Sequence, residues 1–435
     1  MYISKLKLIA EKARQDKQLK FTSLIHHINA ASLELCFEKL HKNKACGADE
    51  VTAEEYGANL KDNIAKLMER LKTKKYKAHP IRRVYIPKPG KDELRPLGIP
   101  TVEDKLVQVI LKEILESIYE QDFLDCSHGF RTGRSCHTAI KQLNNIITSK
   151  PINYVVEVDI RKFFDTVDHK ILMGMLRIRI ADQNLLWLIR KHLKAGVMED
   201  NILMDTDTGT PQGGVVSPLL ANIYLHYVVD LWVEFDFKLR TKGYVQLIRY
   251  ADDFVMLCER EDDAKKFLEE LITRLSQFGL EVSKEKTRIL KFGKGPWNQA
   301  QSDGNKMETF NFLGFTHYGA ANRYGKFGVK HKTIGQRLAM KLLDFTKWLK
   351  DTRNIMPLED WWKKIRAKLF GHYNYYGISG NMRCLKQYYW QILGITFKWL
   401  NRRSQKKSMN WQQFAQYLEW HPLPKPRIKY ALWKT

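Results

Sequence analysis

The stretch RYADDFVML, residues 249–257, constrains the fold of this 435-residue chain more than any other feature. Two short apolar runs, each of strand length, meet at Asp252 and Asp253. This pattern predicts two β-strands joined at the aspartates. Because adjacent carboxylates repel each other, the pair needs an ordinary turn, where aspartate is common, or a function that offsets the repulsion.

A third aspartate ends another predicted strand. Six of the nine residues of INYVVEVDI, residues 152–160, are apolar, which is typical of a central strand, and Asp159 stands near its end. An aspartate there serves no packing purpose, and burying it unpaired is costly. If this strand neighbours the predicted hairpin, three carboxylates converge at one edge of the sheet. Carboxylate oxygens are the ligands that Mg²⁺ prefers, and two such ions can drive phosphoryl transfer.

The distribution of charge predicts a polyanionic partner. The formal net charge is +25, and +19 of it lies between residues 321 and 435. A solvated surface explains a smaller excess, whereas this one favours nucleic acid or an anionic membrane. No apolar run has the roughly 20 residues that span a bilayer, and the first residues lack a signal-peptide core. We therefore expect a cytoplasmic protein without a membrane partner, and a polymerase or nuclease as its class.

The six cysteines are widely spaced and form no CxxC pair. Neither a disulfide framework nor a zinc site is expected from such spacing. Strands and helices alternate without a regular βαβ period, which favours an α+β fold over a doubly wound sheet. Apolar periodicity predicts one long helix over residues 217–240, one strand over residues 309–318, and helices alone after about Lys326.

Seven motifs, taken in chain order, resemble those of reverse transcriptases. They are IPKPGKDELRPLGIPTVEDKLVQ, SHGFRTGRSCHTAI, VVEVDIRKFFDTVDH, GTPQGGVVSPLLANIYL, YADD, LEVSKEKT and FNFLGF. NKACGADEVT near the start and FGHYNYYGISGN near the end resemble blocks of the group II intron-encoded reverse transcriptase/maturases. Many of those proteins end in a Cys-rich endonuclease. None is expected here, so autonomous cleavage of a DNA target is not expected either.

The resemblance implies a right-hand polymerase, with an antiparallel palm sheet plus helices and an all-helical thumb/maturase domain. Residues 1–150 would form the N-terminal extension and fingers, and residues 151–325 the palm with part of the fingers. Residues 326–408 would form the thumb/maturase domain, and residues 409–435 a basic C-terminal tail.

The resemblance also implies roles for residues at matching positions. Asp159, Asp252 and Asp253 would be catalytic and would bind metal together with the Ile160 carbonyl. The residues expected to contact the incoming nucleotide are Arg95, Lys88, Lys91, Phe164, Gln212, Gly213 and Lys286. Phe164 would exclude a 2′-hydroxyl, or else it is a core aromatic like Phe163. Gly213 would let the backbone approach the nucleotide closely, or it marks a plain turn.

Further residues are expected to contact nucleic acid. Arg131 and Arg134 would contact the template or cap local structure, and Gly314 lies in the stretch that resembles the primer grip. The basic residues of the helical region are expected to act as a group on an RNA or hybrid backbone. They are Lys363, Lys364, Arg366, Arg402, Arg403, Lys406 and Lys407.

We therefore predict an RNA-directed DNA polymerase that copies an RNA template from a primer with dNTPs and two Mg²⁺ ions, for which Mn²⁺ can substitute. Its partners would include the RNA/DNA hybrid and a structured group II intron RNA, whose splicing and mobility it would assist. It would join the nucleoid when acting on DNA. The alternatives are a related reverse transcriptase recruited to phage defence or DNA repair, an RNA-binding maturase with little polymerase activity, and an RNA-dependent RNA polymerase. The sequence predicts no oligomeric state.

Overall fold

The computed structural model describes residues 2–41, 44–87, 94–199, 202–204, 208–209, 213–403 and 409–432. Five residues with an expected role lie outside the described residues, namely Lys88, Lys91, Gln212, Lys406 and Lys407. The α-helices are α1 (Tyr2–Gln15), α2 (Ala30–Glu38), α3 (Ala53–Ala58), α4 (Leu60–Lys72), α5 (Val102–Tyr119), α6 (Cys136–Ser149), α7 (Phe163–Thr166), α8 (His169–Arg179), α9 (Gln183–Leu193), α10 (Ser217–Leu225), α11 (Leu231–Phe235), α12 (Glu261–Gln277), α13 (Lys294–Ser302), α14 (Gly335–Thr352), α15 (Leu358–Tyr376), α16 (Met382–Leu400) and α17 (Trp411–Trp420).

The strands form three sheets. They are β1 (Ile81–Pro87), β2 (Leu94–Ile99), β3 (Tyr154–Asp159), β4 (Val197–Glu199), β5 (Ile202–Met204), β6 (Val245–Tyr250), β7 (Asp253–Cys258), β8 (Arg288–Lys291), β9 (Phe310–Phe312), β10 (Phe315–Ala321) and β11 (Phe327–Thr333). The largest antiparallel sheet has the order β6-β7-β3-β8, and we call it the palm sheet. A second sheet has the order β2-β1-β4-β5, and a third has the order β11-β10-β9. The α+β class and the antiparallel palm sheet are confirmed.

Helix starts follow local chemistry. The Thr52, Ser135 and Asn410 side chains each accept a hydrogen bond from the backbone amide three residues later, at the starts of α3, α6 and α17. Such caps satisfy amides that have no partner inside the helix. Thr101 caps α5 in the same way, and the apolar face of α5 is almost wholly buried.

The palm sheet is buried on both faces, as the apolar run of β3 predicts. Val156 and Val158 of β3 pack into one hydrophobic core with helices of the N-terminal half. Val155 points to the other face and packs into a second core that includes the C-terminal helices. The palm sheet therefore lies between the two hydrophobic cores and contributes side chains to both.

Two elements differ from the sequence expectations. Residues 217–235 form one continuous helical run, but it is not regular α-helix, because a π-helical turn, His226–Asp230, stands between α10 and α11. A 3₁₀ turn, Phe237–Arg240, replaces the last part of the predicted helix. Residues 309–318 form a hairpin instead of one strand. Leu313 and Gly314 both have positive φ, +48° and +85°, and this left-handed pair reverses the chain between β9 and β10.

The C-terminal region contains a strand where the sequence pattern predicted helices alone. β11 pairs with β10 along its whole length, so the helical region begins at Gly335. Residues 409–432 include α17, and Trp411 of this helix stacks on Phe397 of α16 with ring centroids 4.0 Å apart. Tyr430 then forms a parallel bridge with Ile378. Within the described ranges, no helix combines the length and apolar character needed to cross a membrane.

Candidate active site

The palm sheet brings three aspartates to one end. In the β3–β7 register, Asp159 lies directly opposite Asp253. Tyr250 pairs with Asp253 at the end of the β6–β7 hairpin, so Ala251 and Asp252 form the turn, with Ala251 at a φ of +55°. Short antiparallel pairing therefore places carboxylates from distant parts of the sequence beside one another.

Proximity and burial disfavour the charged forms of two of these groups. Burial raises the pKa of Asp252, and the charge of Asp159 adds to this effect. The Asp253 residue is exposed to solvent, but the dense protein around it partly buries its carboxyl group. This burial, followed by the charges of Asp252 and Asp159, raises the pKa of Asp253 to about 7. The site therefore concentrates negative charge that a bound cation would stabilise.

The donor chemistry fits a hard divalent cation, although the side chains are not arranged around one. In the part of the chain that the structure describes, no three His, Cys, Asp or Glu side chains form a group that could hold a metal ion. The Lys286 ammonium donates to Asp159 Oδ2 at 2.7 Å. This ion pair uses one oxygen of Asp159, and carboxylates can bind a hard cation through a single oxygen.

Cationic side chains approach the aspartates from other elements. Arg95 of β2 opposes the rise in the pKa of Asp252, which places its charge near the turn. Arg337 of α14 acts in the same direction on Asp253. The sequence motifs predicted Arg95 and Lys286 as parts of the site, but they did not predict Arg337. Nothing in the local pattern of α14 distinguishes Arg337 from the other basic residues of the helical region.

The stability of the metal-free protein should depend on the protonation of Asp253. Because the pKa of Asp253 is raised in the folded state, its contribution to stability is fully present below the unfolded-state pKa, about 4. That contribution is lost as the pH rises through about 7. In EDTA, the thermal midpoint of wild type is therefore expected to fall, relative to that of Asp253→Asn, between pH 5 and pH 8. Parallel pH profiles for the two proteins would contradict the raised pKa.

Arg249 supports the aspartate turn from inside the protein, a role that the sequence motifs did not indicate. Its side chain is fully buried and pairs with the equally buried Asp230, with Nε donating to Oδ1 at 2.7 Å. Nη1 donates to the Ala251 carbonyl at 3.1 Å and to Asn222 Oδ1 at 3.0 Å. Nη2 donates to Ser127 Oγ at 2.9 Å and to Asp230 Oδ2. All five guanidinium N–H groups are thus used, and one of them fixes the turn.

The loop after α5 packs against the same turn. The Gly129 carbonyl accepts a hydrogen bond from Asn222 Nδ2 at 2.6 Å. A Cβ on Gly129 would lie 2.5 Å from the Ala251 amide nitrogen, so this close approach requires glycine. The π-helical turn ends at Asp230, and it is part of the same buried network. Irregular helix geometry is frequent at functional sites.

Phe163 and Phe164 differ in burial, although both pack against the same hydrophobic core. Phe163 is buried and packs edge-on to Tyr224, whereas Phe164 is only partly buried. Lys162, immediately before α7, has a φ of +45°, a conformation that reverses the chain directly after β3. Phe164 consequently lies one short turn beyond Asp159, and the structure leaves part of its surface open.

Gly213 makes a close approach to the backbone of β2. Its φ is +112°, and a Cβ there would lie 2.2 Å from the Gly98 carbonyl oxygen of β2. Gly213 therefore joins the β1–β2 hairpin to the start of the segment that leads to α10. This contact also explains why the position requires glycine.

The structure corrects the expected role of Arg131. Its side chain is 4% exposed, pairs with Glu120 at 2.8 Å, and donates to the carbonyls of Leu124 and Ser127. Arg131 thus organises its own loop and is not available to a template. Arg134 is partly exposed, although it pairs with Asp125 at 2.6 Å.

The expected primer-grip glycine lies against the helical region. A Cβ on Gly314 would lie 2.9 Å from Arg337 Nη1, and the Tyr375 hydroxyl donates to the Leu313 carbonyl at 3.0 Å. The β9–β10 turn therefore packs against α14 and α15. Arg337, which lies at this turn, also acts electrostatically on Asp253. This cluster lets the helical region position groups beside the aspartates.

The predicted basic group divides by exposure. Lys363, Lys364 and Arg366 are exposed on one side of α15, with Lys363 paired to Glu359 at 2.8 Å. Arg402 is exposed beside the Trp399 ring. Arg403 instead supports local structure, because it donates to the Met356 carbonyl at 2.9 Å and lies over Trp361.

Comparisons with known proteins agree with this geometry. Residues 86–317, more than half of the chain, match the family model described as reverse transcriptase (RNA-dependent DNA polymerase). The chain is 36% identical over 298 residues to the group II intron-encoded protein LtrA of Lactococcus lactis subsp. cremoris, covering 66% of this chain and 49% of LtrA. It therefore spans about half the length of that relative.

Two further relatives extend the comparison. Protein YkfC of Escherichia coli (strain K12) is 33% identical over 323 residues, covering 67% of this chain and 81% of YkfC. The putative COX1/OXI3 intron 1 protein of Saccharomyces cerevisiae is 34% identical over 274 residues, covering 52% of this chain and 32% of that protein. The chain belongs to the reverse transcriptase (RNA-dependent DNA polymerase) family and is similar to group II intron-encoded proteins.

Proposed function

We propose that this chain copies an RNA template into DNA, using a primer, dNTPs and two Mg²⁺ ions that Mn²⁺ can replace. The observation that carries the proposal is the placement of Asp159 opposite Asp253, with Asp252 in the adjoining turn. These three carboxylates and the Ile160 carbonyl would hold the ions. When bound, the ions supply Lewis-acid stabilisation of the attacking and leaving oxygens.

The surrounding cations act on the triphosphate in this proposal. Lys286 lies beside Asp159, and its ammonium would neutralise charge on the departing pyrophosphate. Arg95 lies on the fingers strand across from the turn, where its planar guanidinium can bind phosphate oxygens bidentately. Lys88, Lys91 and Gln212 remain proposed nucleotide contacts on the basis of their motifs.

Phe164 is proposed to select the sugar. Replacing it with alanine removes the ring that would meet a 2′-hydroxyl, so ribonucleotide use should rise by about 10- to 100-fold relative to dNTP use. The measurement is single-nucleotide incorporation with dNTP or NTP on the same RNA template and primer. Phe164→Tyr keeps the ring and should keep the selectivity.

The same experiment separates DNA synthesis from RNA synthesis. The proposal requires wild type to prefer dNTPs and Phe164→Ala to relax that preference. Equal use of NTPs by wild type would instead favour an RNA-dependent RNA polymerase. Unchanged selectivity in Phe164→Ala would remove Phe164 from the nucleotide site.

We further propose that the chain binds a structured group II intron RNA and assists its splicing and mobility. Three relatives support this part, because their names describe one as a group II intron-encoded protein, one as an intron 1 protein and one as a nuclear intron maturase. Four exposed basic side chains offer a surface for the RNA backbone, namely Lys363, Lys364, Arg366 and Arg402. We place this activity in the cytoplasm, and at the nucleoid when DNA is the target.

The proposed domains follow the observed elements. Residues up to about 150 contribute the N-terminal extension and much of the fingers, and the palm then continues through β11 to Thr333. The thumb/maturase domain would begin with α14 at Gly335. It would include α17 and the segment after α17 that pairs with Ile378. This division keeps the β10–β11 hairpin with the palm.

A further inference from the structure

A large groove lies on the side of the molecule formed by α6, α13 and the β10–β11 hairpin. Its volume is about 1040 Å³, and its walls combine Trp297 with the hairpin tip around Tyr324. The groove is outside the aspartate site. From Phe315, next to the Gly314 turn, the hairpin extends six residues to Ala321, or about 20 Å at strand geometry.

The charge of the groove has one sign. Its lining includes Lys294, Arg323, Lys326 and Lys330 and contains no aspartate or glutamate among the described residues. Arg323 and Lys326 are exposed on the hairpin tip. Such a one-signed concave surface attracts a polyanion, since its field is concentrated between the walls.

An aromatic ring is displayed at the hairpin tip. Tyr324 is 69% exposed, and the Arg323 guanidinium lies 4.8 Å from the ring centroid. The tip is held in shape by Asn322, whose Oδ1 accepts hydrogen bonds from the Tyr324 and Lys326 amides at 2.9 and 3.1 Å. A ring with large open surface on a closed turn is suited to stacking on an unpaired base.

The remaining wall supplies neutral polar groups. Asn145 and Thr148 of α6 are exposed and line the groove opposite the hairpin, and the exposed Asn298 of α13 lies beside them. Amide and hydroxyl groups can bond base edges and the ribose 2′-hydroxyl, which distinguishes RNA from DNA. The groove thus combines cations, a stacking ring and sugar- or base-reading groups in one place.

We propose that this groove binds unpaired nucleotides of RNA, with a base stacked on Tyr324 and the phosphates held by Arg323 and Lys326. Binding here does not require the aspartate site, so the proposal stands separately from polymerase activity. It gives the protein a second RNA contact, distant from the primer terminus, that could hold a loop of a structured RNA during copying or splicing.

The test measures binding of a short fluorescent single-stranded RNA while an excess of unlabelled RNA-template/DNA-primer hybrid occupies the aspartate site. Tyr324→Ala should weaken binding roughly tenfold by removing the stack, whereas Tyr324→Phe should bind like wild type. Arg323→Gln/Lys326→Gln should lower the slope of log affinity against log salt by about 1.4, as expected for two lost phosphate contacts. A photoreactive uridine in the RNA should crosslink to the peptide spanning residues 294–330.

Each result decides the proposal. Primer extension on a short template should be the same in Tyr324→Ala and wild type, which shows that the palm is intact. Equal affinities of Tyr324→Ala and Tyr324→Phe, or crosslinks that avoid residues 294–330, would overturn the RNA site. Equal affinity for a single-stranded DNA of the same sequence would overturn its assignment to RNA, and binding of an acidic peptide in preference to RNA would do the same.

Discussion

Asp252→Asn is expected to lower primer extension by roughly a thousandfold or more while leaving the affinity for primer–template nearly unchanged. The substitution keeps the shape of the turn but removes one of three charges that would hold the metal ions. Because burial and Asp159 raise the pKa of Asp252, its charge opposes folding in the absence of metal. The variant should therefore be at least as stable as wild type in EDTA. The measurements are single-turnover extension in Mg²⁺ and thermal unfolding.

The matched control is Asp262→Asn, which changes an aspartate whose side chain is 73% exposed on α12. It should extend primers at the wild-type rate. Extension that survives Asp252→Asn in Mg²⁺ would show that the aspartate turn is not the catalytic centre. A loss of extension caused by unfolding would appear as a lowered thermal midpoint, which the electrostatics of the turn do not predict.

Arg249→Met is expected to be among the most damaging substitutions outside the aspartates. It leaves the Asp230 carboxylate buried without its guanidinium partner, and breaking such a pair costs about 3–5 kcal/mol. It also removes the donor to the Ala251 carbonyl, so the turn that carries Asp252 loses its support. Both stability and extension should fall, as thermal unfolding and single-turnover assays would show.

A double variant separates these two effects. Arg249→Met/Asp230→Leu removes the unpaired charge and should recover much of the lost stability. Its extension rate should stay low with primer–template affinity retained, because nothing then holds the Ala251 carbonyl. If extension recovers together with stability, Arg249 is a structural residue only and does not position the turn. Arg249→Lys tests the same point, since one ammonium cannot replace five fixed donors.

The parts of the fold that could be predicted depend on local patterns. The apolar run of β3, the two runs around Asp252 and Asp253, and the caps of α3 and α6 each carry their signal within a few residues. The hairpin at Leu313–Gly314 was missed because Leu-Gly is not a usual left-handed turn pair. β11 was missed because two of its three buried positions hold the polar residues His331 and Thr333, so no apolar alternation shows in the sequence.

The parts of the site that could not be predicted depend on distant contacts. Arg249 directly precedes the YADD motif, but its role comes from Asp230, Asn222 and Ser127, which lie 19, 27 and 122 residues away. Arg131 looked like a nucleic-acid contact by residue type, and only the position of Glu120 and two carbonyls shows its structural use. Residue type limits the interactions that a side chain can make, whereas tertiary packing decides which partner the side chain contacts.

Primer extension by the purified chain on a defined RNA template tests the central claim most directly. With Mg²⁺, dNTPs and an annealed DNA primer, wild type is expected to make DNA whose length and sequence follow the template, and EDTA should stop the reaction. A protein that binds the same primer–template, as measured in parallel, yet adds no nucleotides with Mg²⁺ or Mn²⁺ would contradict the account.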